Sequence, residues 1–426
     1  MVDSSNTVQD STVVIEQIVP GGQGLGTLPD GRKVFVWNAL PGEKVRLNII
    51  KNKRSYAEAI AVDIIESSPD RVEAAEANYL ATSPWQVINF EAENRYKNNI
   101  VKILAEQSKL NIDVLPDTVT DDQEWHYRNK MEYSFWGDEQ GIHLALHERG
   151  SHGKQIVTGS KLAMPAIDKA ANEVVRQLNS LGIRAGDLKT IITRCTQNGE
   201  VAAALFTKTR QFPTMTLPVG PLGLRVYYSN PKSPASVRTE LLYELGSAEL
   251  VDNVADKQFE YDVDSFFQVN VPVFEKALAA IKDRLAADRL VDMYAGVGGI
   301  GLVTAGRQVT LVELDNASAA MARRNAAASG LEVEVVETST ERALECITSD
   351  VPVVFDPPRA GLHRDVVTRI LESKPPRIAY LSCNPATQMR DLSGLVDAYD
   401  IEPIQVFNFF PHTPHIETLA VLTLKG

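Results

Sequence analysis

Of the three cysteines in this 426-residue chain, Cys195, Cys346 and Cys383, the last stands where a nucleophile could be presented. It follows the apolar run Ile378 to Leu381 and precedes an Asn-Pro turn. A strand there would bring its sulfur to the carboxyl edge of a sheet, where open α/β sheets do their chemistry. A lone cysteine is more often a small buried hydrophobe, so the nucleophile reading needs partners. Candidates surround it in sequence. Asp292-Met-Tyr294-Ala-Gly296-Val-Gly298-Gly299-Ile-Gly301 follows a strand-like run and opens a helix, a layout that lets a ligand approach backbone amides. Glu313, ending the next strand, is placed to hold ribose hydroxyls. Glu417 closes the run His412-Thr-Pro-His415-Ile-Glu417, whose prolines break the helical i, i+4 spacing of metal ligands, so no metal is expected. A carboxylate at that loop-to-strand junction could act beside Cys383.

The glycine loop and Glu313 suit NAD and S-adenosylmethionine equally. Asp356-Pro357-Pro358-Arg359, ending a fourth strand, adds a rigid acidic loop beside the same crevice, and Asp-Pro-Pro there is a methyltransferase pattern. The elements needed to position these residues are legible as an alternation. Strand runs at 290–293, 309–312, 333–336 and 351–355 are separated by helical stretches at 300–305, 317–328 and 341–347. Units of this length imply a parallel, doubly wound sheet. A helix should precede it from about Pro272, proline being tolerated in a first turn, and 417–424 should be the last strand.

Upstream, strand runs at 13–18, 34–37, 43–50 and 56–65, punctuated by the glycine-rich turn 20–26 and by Pro41-Gly42, predict a small closed β-barrel. Arg32, Lys33, Lys44, Arg46, Lys51, Lys53 and Arg54 face few acids in this segment. Phe35, Trp37 and Tyr56 are interleaved with them, the equipment of a module that grips RNA backbone and stacks bases. An amphipathic helix is expected from Trp85 to Gln107, and strands from Glu124 to Phe135 and 141–147. Helix 166–181 and strands at 189–196, 200–207 and 223–228 complete a mixed α/β middle region. Arg128 and Lys130 are candidate phosphate contacts.

A net charge of −12 argues on its face against a nucleic-acid partner. Phosphate contacts use a local field, however, decaying over about 8–10 Å at physiological salt, so a basic face on an acidic chain is allowed. No apolar run reaches membrane-spanning length, and the polar start lacks the basic flank and apolar core of a signal peptide. The odd, dispersed cysteines supply no disulfide framework. A cytoplasmic monomer is expected.

The first barrel resembles a TRAM domain. Phe266-Phe-Gln268-Val-Asn270, the glycine loop, Asp-Pro-Pro-Arg-Ala-Gly-Leu, Ser-Cys-Asn-Pro and Phe-Pro-His-Thr-Pro-His-Ile-Glu, in that order, resemble the RNA uracil-C5 methyltransferase family. The resemblance covers nearly the whole chain. It implies an N-terminal OB-like barrel (11–66) after a disordered tail (1–10), then a linker, helix and central α/β RNA-binding region (67–264). A doubly wound methyltransferase domain (265–426) follows. It implies Cys383 as nucleophile, Glu417 as the proton-removing base, and S-adenosylmethionine held by Gln268, Tyr294, Gly296, Gly298, Glu313 and Asp356. The substrate would be structured RNA, ribosomal ahead of transfer RNA, contacted by Arg32, Lys33, Trp37, Lys53, Arg54, Arg128 and Lys130. Many family members hold an iron-sulfur cluster on four cysteines. Residues 74–83 contain none, and Ser160 occupies the fourth position, so no cluster is expected and packing must replace it. Thr338-Ser339-Thr340 stands where relatives often place an acid near adenine. An RNA cytosine-C5 methyltransferase would need a cysteine in the Asp356 loop. A base-amine methyltransferase, or an RNA-binding factor without catalysis, would leave Cys383 and Glu417 without roles.

Overall fold

The computed structural model describes residues 11–151, 153–234 and 236–426; the tail expected at 1–10 lies outside the described residues. β1 (Thr12–Ile18), β2 (Gly24–Thr27), β3 (Lys33–Trp37), β4 (Lys44–Asn52) and β5 (Tyr56–Glu66) close into a barrel in the order β1-β2-β3-β5-β4. Period-two alternation buries Val34, Val36, Val45 and Leu47, and the small Ala57 and Ala59 let the wall close tightly. The glycine-rich stretch is partly strand. At Gly24 an added Cβ would lie 2.8 Å from the Ala39 carbonyl oxygen, so β2 can pass there only without a side chain.

α1 (Tyr79–Thr82) and α2 (Phe90–Gln107) follow. α2 starts later than its apolar spacing suggested. Asn89 caps it by accepting from the Ala92 amide, while Trp85 turns away to donate its indole N–H to Gly22 O at 2.9 Å. The segment where related chains carry cysteines is joined by hydrogen bonds rather than by packing alone. Glu76 Oε1 accepts from Lys161 N, Glu76 Oε2 from Gln86 Nε2, and Gln86 Oε1 from Glu76 N.

The middle region is a seven-stranded sheet, β12-β11-β10-β9-β6-β7-β8. Its strands are β6 (Lys130–Asp138), β7 (Gly141–His147), β8 (Lys154–Ile156), β9 (Leu188–Cys195), β10 (Val201–Thr207), β11 (Pro221–Tyr228) and β12 (Glu240–Gly246). α3 (Pro165–Ser180) covers one face. The strand expected from Glu124 begins only at Lys130, because Asp122 and His126 take left-handed φ of 65° and 57° and interrupt extended pairing. The hairpin β13 (Glu249–Val254) and β14 (Lys257–Asp262) leads on.

α4 (Val271–Leu285), with Pro272 in its first turn, precedes the third sheet, ordered β17-β16-β15-β18-β19-β22-β20 with β21 beside β22. β15 (Arg289–Met293), β16 (Gln308–Glu313), β17 (Glu332–Glu337), β18 (Val353–Phe355) and β19 (Arg377–Ser382) are parallel. β20 (Tyr399–Ile401), β21 (Gln405–Phe407) and β22 (Glu417–Leu424) complete the sheet, β22 running antiparallel to β19. α5 (Gly301–Thr304), α6 (Asn316–Ser329), α7 (Arg364–Ser373) and α8 (Pro385–Ser393) connect them. The helix expected at 341–347 is two short 3-10 turns, 340–342 and 344–346, since so short a segment does not repay helix nucleation. Strand order reverses between β15 and β18, which opens a crevice at their carboxyl ends.

Candidate active site

Cys383, Glu417, Asp356, Glu313, Tyr294 and Gln268 all line that crevice, and for the first three the strand register explains why. Ser382 pairs with Thr418 across β19 and β22, so the next residues, Cys383 and Glu417, emerge side by side. Phe355 pairs with Tyr380, which brings Asp356 to the same edge. Pro385 opens α8 directly behind Cys383 and fixes the exit of the chain. The loop delivering Glu417 is anchored from α2. Fully buried Lys97 bonds Glu93 Oε1 at 2.9 Å, Asn408 Oδ1 at 2.6 Å and the Phe410 carbonyl at 2.9 Å, and Glu93 Oε2 accepts from His412 N. The His412 ring stacks on Trp125, 3.8 Å between centroids.

The cleft encloses about 700 Å³ and is lined by Gln268, Tyr294, Gly296, Glu313, Asp356, Cys383 and Glu417, with Phe266, Ser339, Thr340, Glu341 and Arg359 among others. Glu313 is pre-oriented by two backbone donors, Gly296 N at 2.8 Å and Asp315 N at 2.6 Å. Gly296 has φ of 57° and open space where a Cβ would point, so a ligand can reach its backbone. Tyr294, a non-glycine residue at φ 69°, makes the sharp exit from β15. Gln268 follows a segment clamped by buried Arg194, which donates to the carbonyls of Ser265 and Phe267.

The electrostatics of the cleft favour neutral groups. Burial, reinforced by Asp356, holds the Glu417 carboxyl well above the usual carboxylate range, against the pull of Arg359. Burial likewise pushes Asp356 up to about 7. Two carboxyls facing one buried cleft each oppose the other's ionisation. Glu417 Oε2 is buried without a hydrogen-bond partner, an acceptor aimed into the cleft. Cys383 is pushed up to about 11 by burial and then by Glu417 and Asp356, while Arg359 acts in the opposite sense through charge and a hydrogen bond. Arg359 itself is oriented by His415, whose Nδ1 lies 3.2 Å from its Nη2.

Not every expected residue is in place. Gly298 turns away from the cleft. At its φ of 91° a Cβ would lie 2.8 Å from Leu302 Cδ1, so its role is to let α5 pack on β16. The barrel cations do not face few acids: Arg32 pairs with Asp30, Lys33 with Glu16, Lys44 with Glu66 and Lys51 with Glu58. Strands of the same barrel and a tight turn supply the carboxylates. Trp37 is covered by the Arg149 guanidinium, 4.0 Å from the ring centroid. Lys53 and Arg54 are exposed at the β4–β5 turn. Arg128 donates to the Lys130 carbonyl, and burial beside Arg194 pushes Lys130 down to about 7, which weakens it as a standing cation. Sequence reasoning quoted Arg359 and Phe266, the latter 66% exposed, without giving either a role, and among the other cleft residues it passed over Arg238 and Glu341, the latter one residue past the Thr-Ser-Thr run.

The fold and cleft are those of an S-adenosylmethionine-dependent methyltransferase preceded by a small barrel. The sequence model of the tRNA (Uracil-5-)-methyltransferase family matches residues 238–425, and that of the TRAM domain matches residues 5–62. The chain is 29% identical to an uncharacterized RNA methyltransferase of Halalkalibacterium halodurans over 97% of each chain. It is 28% identical to one of Thermotoga maritima over 97% of this chain and 99% of the other. The crystal structure of Pyrococcus abyssi tRNA (uracil-54, C5)-methyltransferase with S-adenosyl-L-homocysteine superposes with a TM-score of 0.78. That match is 23% identical and covers 96% of this chain and 99% of that one. Residues 238–425 thus match a tRNA (uracil-5-)-methyltransferase family domain and residues 5–62 a TRAM domain, and over nearly its whole length the chain is similar to proteins named as RNA methyltransferases. Among the described residues no helix is long and apolar enough to cross a membrane.

Proposed function

We propose that the protein methylates carbon 5 of a specific uridine in structured RNA through a covalent adduct with Cys383. The observation that carries this reading is the convergence of Cys383, Glu417, Asp356 and Arg359 on one wall of the 700 Å³ cleft. S-adenosylmethionine supplies the electrophilic methyl group on a sulfonium. The cleft's size and the open backbone at Gly296 suit it, with Gln268, Tyr294, Gly296 and Glu313 as its holders and the Ser339 and Thr340 hydroxyls beside them. Uracil carbon 5 is too weak a nucleophile to take that methyl directly. Attack of the Cys383 sulfur on carbon 6, its proton passing to water and Arg359 favouring the thiolate, moves the ring's π electrons onto the O4 side and makes carbon 5 nucleophilic. One proton on the Asp356–Glu417 pair lets one carboxyl hydrogen-bond the developing enolate while the other stays free as a base. After methylation Glu417 takes the carbon 5 proton, the double bond re-forms, and the sulfur leaves carbon 6. Reaching both faces of the base requires the uridine to be flipped out of its stem or loop.

The 11–66 barrel and the 67–264 region are taken to grip the RNA while 265–426 does the chemistry, with ribosomal RNA ahead of transfer RNA as target. RNA containing 5-fluorouridine should form a denaturation-resistant adduct with wild-type protein, because fluorine cannot leave as the proton does. Methylation surviving in Cys383→Ala would overturn the mechanism. Mapping 5-methyluridine in ribosomal and transfer RNA from cells lacking the protein decides the target.

A further inference from the structure

Beyond the catalytic cleft, the far end of β6 holds a second cavity of about 620 Å³, bordered by Trp136, Lys154, Arg184 and Lys208. Trp136 is 45% exposed, unusual for a residue that buries most of its area in folded proteins. Strand alternation and register put it on the face of β6 that also carries Lys130, opposite the face bearing buried Met131, Tyr133 and Phe135. The cavity's cations are not all compensated. Asp138 is engaged by His143 and the Gln140 amide, and Asp187 is paired with Arg184. Lys154 donates to the Phe135 carbonyl and Lys208 to the Gly186 carbonyl, and among the described residues neither has a carboxylate partner. An exposed indole bordered by unpaired cations matches how single-stranded nucleic acid is held, bases on aromatic faces and phosphates on lysines. Lys130 approaches Asp264 at the catalytic cleft, and six strand residues separate it from Trp136, about 20 Å. At 3.4 Å per stacked nucleotide that is a span of about six nucleotides.

We propose that this cavity is a second RNA site, at which a nucleotide outside the target loop stacks on Trp136 while Lys154 and Lys208 take its flanking phosphates. The site rests on RNA being the substrate and not on which base is methylated. The probe is a fluorescein-labelled oligouridylate of about 20 nucleotides, long enough to span both sites, titrated by anisotropy with full-length protein and no methyl donor. Lys154→Gln with Lys208→Gln should reduce the slope of log K against log salt by about 1.4, from about 0.7 per lost contact. It should also weaken binding at least about tenfold near 0.15 M salt. Trp136→Ala should weaken binding about tenfold, within the range for loss of one base–aromatic stack, and Trp136→Phe should restore most of it. Trp136 and Lys208 are exposed and Lys154 is half-buried with one bond, to the Phe135 carbonyl, which glutamine can also make, so circular dichroism and melting temperature should match wild type. Unchanged affinity and salt slope in the double variant sinks the proposal, and would be the result if the face served an acidic protein instead. Absence of a 5-fluorouridine adduct with Trp136-dependent binding intact would sink only the uridine mechanism.

Discussion

Replacing Glu417 by glutamine should stop the enzyme after methyl transfer, with the RNA still bound to Cys383. The substitution preserves volume at a site only 3% exposed and replaces a carboxyl whose Oε2 lies buried without a hydrogen-bond partner by a non-basic amide. It also relieves Asp356 of a buried neighbour whose charge raises the Cys383 thiol, so attack on carbon 6 should be no slower than in wild type. What is lost is proton removal from carbon 5. General-base catalysis contributes about 10²- to 10⁴-fold, or about 3–5 kcal/mol of barrier, so multiple turnover should fall by that factor. The first methyl transfer should stay within a few-fold. Rapid quench with labelled RNA on a denaturing gel reads both quantities: a protein–RNA band carrying the transferred methyl should appear at the rate of the first turnover and persist. Wild-type turnover in the variant, or slow turnover with no methylated adduct, would falsify the assignment. In the second case Glu417 would act before methyl transfer, and the base would have to be Asp356.

Four further outcomes follow from the same geometry. With Cys383 pushed up to about 11, iodoacetamide should alkylate it in the free protein at neutral pH far more slowly than an ordinary thiol, with the rate rising through pH 10; Arg359→Met should slow it further, and fast alkylation at pH 7 would contradict both. Asp292 is buried and pushed up to about 8, keeping its proton in the folded state where the unfolded chain has lost it, so stability should fall by up to about 1.4 kcal/mol per pH unit between about pH 4 and 8. Asp292→Asn should flatten that part of a urea-melt pH series. Lys97→Met leaves Glu93 buried and unpaired, and should cost about 3–5 kcal/mol by denaturant unfolding as well as loosening the loop that carries Glu417. Gly298→Ala should destabilise by about 1–3 kcal/mol through its contact with Leu302, while leaving the affinity of the residual folded protein for S-adenosylmethionine intact, which calorimetry can read.

The cleft residues were legible because chemistry here sits at strand ends, and strand ends are marked locally by glycine, proline and the close of an apolar run. Cys383, Asp356 and Glu313 each follow or end such a run. That Glu417 should come to a loop-to-strand junction beside Cys383 was legible; what enforces it was not. That Cys383 stands beside Glu417 depends on the β19–β22 register, set by a pairing between segments 36 residues apart. The anchoring of the Glu417 loop was invisible for the same reason: Lys97 meets Asn408 across 311 residues, and a lysine in a helix ordinarily reads as a solvated face. The barrel cations illustrate the converse error. Counting charges along a segment overstated its free positive charge, because Glu58 and Glu66 lie on the strand beside Lys51 and Lys44, and Glu16 reaches Lys33 across β2. The short 3-10 turns at 340–346 and the late start of α2 were missed because apolar spacing does not record nucleation or a cap.

The thiol and the carboxyl pair together bear on how the enzyme avoids adventitious reaction. A cysteine held as thiolate in an open cleft would be alkylated or oxidised between turnovers. Here the same burial that raises Glu417 and Asp356 also raises Cys383, which favours the thiol over the thiolate. A bound methyl donor brings a positive sulfonium into the 700 Å³ cleft those groups line, and a positive charge there lowers both the thiol and the carboxyls. If Cys383 is the nucleophile, its activation would then be tied to loading of the site, with Arg359 as the cation that already acts to lower the thiol. The rate of 5-fluorouridine adduct formation should therefore rise on adding S-adenosylmethionine but not on adding uncharged S-adenosylhomocysteine. Equal rates with the two would mean that the thiolate is generated by the RNA alone.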